Sequence, residues 1–118
     1  MAKLLSKIFR DSSKIESAEL VETGLKSGAM TVSEIHPGEK GKVLGLVNAV
    51  IHHPTLSSHQ FEFEIYDGTE RLRVVYLGQK ALTGIEPGVT VLLEGRVVRE
   101  KAMKTMYNPK YTLVRESN

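Results

Sequence analysis

Between Gly41 and Val114 apolar and polar side chains alternate with a period of two, and turn-forming residues interrupt the pattern at intervals. His59–Tyr66 is the clearest run: Phe61, Phe63 and Ile65 share one face, and Gln60, Glu62, Glu64 and Tyr66 the other. Asp67-Gly68-Thr69-Glu70 reads as a turn into a second alternating run, Arg71–Leu77. With Gly68 and Thr69 as the central turn residues, Ile65 opposes Leu72, Phe63 opposes Val74 and Phe61 opposes Tyr76, an entirely apolar face. On the other face Tyr66 meets Arg71, and Glu64 meets Arg73 in a charge-neutralising pair. Upstream, Lys42–His52 is apolar and β-branched, with Gly45 placed where a bulge would let a long strand bend. Downstream, Gln79–Thr83 is compatible with a short helix, Glu86-Pro87-Gly88 is a turn, and Val89–Arg99 and Lys110–Val114 supply two more strands.

Five strands with one small helix between the third and fourth predict an all-β domain over residues 30–118, closed as the barrel of the oligonucleotide/oligosaccharide-binding (OB) fold. Residues 1–29 read differently, as an N-terminal helical extension. Leu4, Leu5, Ile8 and Phe9 recur at helical spacing, opposite Lys3, Lys7 and Arg10. Ser13-Lys14-Ile15-Glu16 fits a capping box that opens a second helix, with Gly24 and Gly28 as stops. Thr31–Ile35 is expected as a short extended piece closed by His36-Pro37-Gly38. A barrel strand needs one apolar face only, yet Val75 and Leu77 point outward with the arginines. Leu92 and Val98 likewise lie opposite Val91, Leu93 and Val97. These outer apolar rows call for a cover: the first helix, a second subunit or stacked bases.

A length of 118 residues suits a single domain, and the absence of cysteine excludes disulfides, thiolate metal sites and a cysteine nucleophile. No apolar run reaches the roughly 18 residues of a membrane span. The basic start lacks the apolar core of a signal peptide, so no membrane partner and a cytoplasmic location are expected. The net charge of +2 is small but unevenly spread. Residues 96–118 carry Arg96, Arg99, Lys101, Lys104, Lys110 and Arg115 against Glu100 and Glu116, whereas residues 31–95 are net acidic. A basic stripe at one end of a domain is one form of polyanion site, and a solvated surface is the plainer reading.

Six short motifs occur in order: Lys42-Val43-Leu44-Gly45-Leu46-Val47, Tyr66-Asp67-Gly68-Thr69, Val74-Val75-Tyr76-Leu77-Gly78, Gly84-Ile85-Glu86-Pro87-Gly88, Glu94-Gly95-Arg96-Val97 and Asn108-Pro109-Lys110-Tyr111. Together they resemble small actinobacterial OB-fold nucleic-acid-binding proteins. The same skeleton is similar to the wedge OB domain of RecG-type helicases and to anticodon-type OB domains. The resemblance covers residues 31 to 115 and implies a nucleic-acid-binding barrel. Glu70 departs from the pattern where a second glycine is usual, and Tyr76 stands where tryptophan is common.

Catalytic signatures are lacking. His52, His53 and His59 flank the loop between the first two strands, but adjacent histidines point to opposite faces and a structural zinc takes four ligands, so no metal and no cofactor are expected. Ser57 and Ser58 have no acidic residue nearby to orient an imidazole, and no phosphate loop or dinucleotide fingerprint occurs. OB domains hold ligand across the second and third strands, between the loops joining strands one to two and four to five. On this plan Glu100–Asn108 is a basic loop carrying an aromatic ring. The candidate contacts for single-stranded nucleic acid are Tyr66, Arg71, Arg73, Arg99, Lys101, Lys104 and Tyr107. Tyr107 has packing against Pro109 as its alternative, and Tyr111 is expected in the core. A second reading is a protein-interaction adaptor, or a homodimer, that uses Val75 and Leu77. Glu62 and Glu64 favour it, because they weaken an anion site on the same face.

Overall fold

The alternating runs fold as the expected hairpin. In a computed structural model that describes residues 28–51, 59–79 and 81–114, strands β2 (Gln60–Tyr66) and β3 (Arg71–Leu77) pair antiparallel around Asp67–Glu70. The register matches the sequence expectation at every position, from Tyr66 opposite Arg71 to Phe61 opposite Tyr76. Asp67 explains why this turn works without a second glycine. Its Oδ1 accepts from the Thr69 N–H at 2.9 Å, the Thr69 hydroxyl at 2.6 Å and the Glu70 N–H at 3.2 Å.

Strand β1 (Lys40–Ile51) serves two neighbours. Lys40–Leu46 pairs with β4 (Thr90–Glu100), and Leu46–Ile51 pairs with β2. The register slips between Val47 and Ala49, so the bulge falls at Asn48 and not at Gly45 as expected. Gly45 answers a different need: a Cβ there would lie 2.7 Å from Ile65 Cδ1, so the residue lets β1 approach the core closely.

The expected last strand, Lys110–Val114, forms as Lys110–Leu113, but an additional strand precedes it. β5 is Met103–Tyr107, within the stretch taken above for a loop, and Lys110–Leu113 forms a short sixth strand, β6. Both pair antiparallel with β4, so they are two pieces of one path broken at Asn108-Pro109. The connection from β4 to β5 is only Lys101-Ala102, both with positive φ (54° and 64°) and neither of a residue type that announces such a turn. β5 also pairs parallel with β3, which closes a ring in the order β1-β2-β3-β5-β4-β1.

No helix forms among the described residues. The piece expected between β3 and β4 lies between Gly78 (φ 85°) and Gly84 (φ 80°), too short a span to offset helix nucleation; its residues 79 and 81–83 run in turns and irregular backbone. The helices expected within residues 1–27 lie outside the described residues.

The barrel core is made by the alternating inward faces, with Phe63, Ile65, Leu72, Val74, Leu93 and Met106 fully buried. Phe63 stacks on Tyr76 at 6.2 Å between ring centroids, and Tyr76 meets Tyr111 edge-on at 6.1 Å. Tyr111 is thus packed against the core as expected, and its hydroxyl donates to the Thr83 carbonyl at 3.2 Å. Burial drives the Tyr76 phenol pKa well up, and its O–H donates to the Pro109 carbonyl at 2.5 Å.

One end of the barrel is shut by Thr31–Ile35, a helical-type turn and not the extended piece anticipated. Thr31 Oγ1 accepts from the Glu34 N–H at 3.2 Å, and Glu34 Oε1 accepts from the Thr31 N–H at 3.0 Å, a reciprocal capping box. The Thr31 N–H first, and then the Thr31 hydroxyl, hold the Glu34 carboxyl below its ordinary pKa. The turn drives Val32 and Ile35 into full burial, and Asp67 Oδ2 fastens it to the β2–β3 hairpin through the Val32 N–H at 2.7 Å.

Candidate nucleic-acid interface

The outward side chains of β2, β3, β5 and the end of β4 form cross-strand rows. In the first, Leu46, Tyr66 and Arg71 stand side by side. Leu46 and Tyr66 are 44% and 43% exposed, and the Arg71 side chain lies open to solvent. Arg71 Nη1 is 3.7 Å from Glu64 Oε2, a loose surface pair worth little. Glu64 Oε2 takes its closer bond, 2.9 Å, from Asn48 Nδ2 at the bulge.

Arg73 is placed differently from the sequence expectation. Its register partner is Glu64, but its ion pairs run to Glu62 and Glu100. Nε and Nη2 donate to Glu62 Oε2 and Oε1 at 2.8 and 3.2 Å, and Nη1 donates to Glu100 Oε1 at 2.8 Å. The Tyr107 hydroxyl donates to the same Glu100 oxygen. The Glu62 bond, against the cost of burial, pushes the Arg73 pKa further up. The Tyr107 bond first, and then Arg73, hold the Glu100 carboxyl below its ordinary range, while the bond to Glu100 pushes the Tyr107 phenol up. The centre of this face therefore sets one cation, Arg73, against two carboxylates, so its guanidinium is fully engaged and the cluster is net acidic.

Lys104 leaves the face altogether. It is buried, its Nζ donates to the Val32 carbonyl at 2.7 Å and the Ser33 carbonyl at 3.3 Å, and it lies 3.4 Å from Glu70 Oε1. A cation that sequence places in a ligand-gripping loop is instead a tie at the closed end of the barrel. Arg99 stands opposite Lys104 in the β4–β5 register and is exposed, as is Lys101 in the turn. The structure thus brings Tyr66 beside Arg71, and Arg73 beside Tyr107, but forms no continuous basic groove from Arg71 and Arg73 to Lys101 and Lys104.

The outer apolar residues divide likewise. Val75 was expected to be open, yet it is 1% exposed, in register between Glu62 and Tyr107, so it is not a docking residue. Leu77 is 53% exposed, and Val98 and Tyr107 are also open. Sequence reasoning missed Glu100 and Leu46. Nothing local marks either one, since each matters through a strand far away in the chain. Among the described residues no group of His, Asp and Glu side chains is arranged to hold a metal ion, and no helix is long and apolar enough to cross a membrane.

No family model matches the chain, and no curated protein matches it in sequence. Solved structures match in shape. The second OB-fold domain of replication protein A from Methanococcus maripaludis superposes with a TM-score of 0.61 at 14% identity, over 76% of this chain and 98% of that one. This chain is an OB barrel. Pot1pC of Schizosaccharomyces pombe, solved bound to single-stranded DNA, gives 0.59 at 12% identity, over 73% of this chain and 86% of that one. The p204 HINb domain gives 0.61 at 15% identity over 77% of this chain, which spans about half of that one (49%). At such identities the likeness concerns the barrel, and the ligand has to be argued from side chains.

Proposed function

We propose that this OB barrel binds single-stranded nucleic acid, DNA or RNA, on the outer face of β2 and β3, without catalysis and with little sequence preference. The row Leu46, Tyr66 and Arg71 carries the reading: an exposed ring beside an exposed apolar side chain and a loosely paired guanidinium. Any base stacks on such a ring for about 1–3 kcal/mol, and the neighbouring cation meets its phosphate. Arg99 and Lys101 add exposed positive charge at the β4–β5 end. The likeness to domains of replication protein A and of Pot1pC, the latter solved on single-stranded DNA, supports the same reading. The expected setting is the cytoplasm, with no cofactor.

Fluorescence anisotropy of a labelled oligonucleotide tests it. Binding should weaken steeply as salt rises, and Tyr66→Ala should cost roughly fivefold to a hundredfold in affinity. Absence of salt-sensitive binding to single strands at low ionic strength would remove the reading. A protein partner is the second reading, favoured by Leu77 and Val98 lying exposed on a face that also holds Glu62, Glu64 and Glu100. On that reading light scattering should show a dimer that Leu77→Asp disperses.

A further inference from the structure

Arg73 is gripped from two sides that differ in kind. Glu62 holds Nε and Nη2 in a two-pronged bond from a side chain only 6% exposed. Glu100 holds Nη1 from the last position of β4 with a side chain 40% exposed, directly before the positive-φ pair Lys101-Ala102. A single Glu100 oxygen receives both the guanidinium N–H and the Tyr107 O–H. Two donors converging on one anionic oxygen, beside an exposed aromatic ring, are what a non-bridging phosphate oxygen requires.

We infer that Arg73 Nη1 and Tyr107 Oη form a phosphodiester subsite on the outer face, which Glu100 fills as an internal stand-in when no ligand is bound. The inference rests on the reading of this face as a nucleic-acid surface. Glu100 is the removable partner because it is the more exposed of the two carboxylates and holds the guanidinium by one edge alone. Glu62 keeps its two bonds throughout, so Arg73 is never left unpaired while phosphate replaces the Glu100 carboxylate. The exchange swaps one anion for another, which lowers the net gain from each bound phosphate and sets the affinity of the native chain below that of an open face.

The test uses the full chain and a fluorescein-labelled single-stranded oligothymidylate. Glu100→Gln should bind roughly tenfold tighter at about 50 mM salt, and its slope of log affinity against log salt should steepen by about 0.7, one phosphate on a single strand. Glu100→Ala should show the same gain, which guards against a folding defect peculiar to either variant. Tyr107→Phe in the Glu100→Gln background should reverse part of the gain while keeping the ring. Glu86→Gln makes the same charge change in the turn before β4, outside the bonds that join Arg73, Glu100 and Tyr107, and should gain little. Equal gains from Glu86→Gln and Glu100→Gln, or none from Glu100→Gln and Glu100→Ala, overturn the subsite while native binding leaves the proposed function standing. Absence of binding by every form overturns both.

Discussion

Gly45→Ala should destabilise the barrel by about 1–2 kcal/mol, although alanine is the better residue for a strand by conformational entropy alone. Two effects oppose each other. Restricting the unfolded chain would stabilise by about 0.4–1 kcal/mol, since Gly45 does not adopt a positive φ. Against this, the added Cβ would lie 2.7 Å from Ile65 Cδ1, 3.2 Å from its Cβ and 3.3 Å from its Cγ1. The methyl end of Ile65 can rotate away, but its Cβ is fixed to β2, and the residue is fully buried. Overpacking of this kind costs about 1–3 kcal/mol, so the clash prevails. Urea unfolding followed by circular dichroism should show a lowered midpoint with an unchanged slope. Ile65→Val removes the nearest clashing atom and alone costs about 0.5–1.5 kcal/mol. In the double variant the losses should fall short of their sum by at least about 0.5 kcal/mol. A Gly45→Ala protein as stable as the parent, or strict additivity in the double variant, would refute the close-approach account.

Replacing Lys101-Ala102 by Asn-Gly should raise the unfolding midpoint, by about 0.5–2 kcal/mol in stability, because both positions have left-handed backbone that costs an alanine about 1–2 kcal/mol; thermal melts check it. Lys104→Met should cost about 1–3 kcal/mol by leaving the Val32 and Ser33 carbonyls without their donor, read by the same urea titration. Glu34 and Glu100 both have carboxyl pKa values lowered from 4.5, so the stability they contribute is present above about that pH and lost as pH falls through the lowered folded values. Glu100→Gln should therefore flatten the acid limb of a stability–pH curve below pH 4.5, and a limb as steep as the parent's would refute that contribution.

The hairpin was legible because β2 alternates strictly and Asp67 supplies its own turn bonds, which leaves one register that buries Phe61, Phe63 and Ile65 together. β5 was not, because Lys104 interrupts its inward face. Its ammonium reaches backbone carbonyls at the barrel end, a satisfaction that no local pattern displays. The turn before it hides equally well, since lysine and alanine seldom take positive φ. Thr31-Val32-Ser33-Glu34 carries the capping-box spacing in plain view, yet the β-branched residues around it read as strand. In the candidate site, Tyr66 beside Arg71 follows from register alone. The choice of Glu62 and Glu100 over Glu64 by Arg73 depends on diagonal reach and on a strand 27 residues away.

The ring is closed by its shortest seam. β3 and β5 meet in parallel only where Arg73–Val75 faces Thr105–Tyr107, whereas β1 and β4 share a ladder from Lys40 to Leu46. Across that seam Arg73, Glu100 and Tyr107 are bonded to one another on the outer face, so the charge network is also the clasp of the cylinder. Breathing of the native state is accordingly expected to begin there. Amide protons of Thr105–Tyr107 should exchange with solvent ahead of those in the β2–β3 hairpin, and any molecule that bridges Arg73 to Tyr107 should slow that exchange without touching the rest of the barrel.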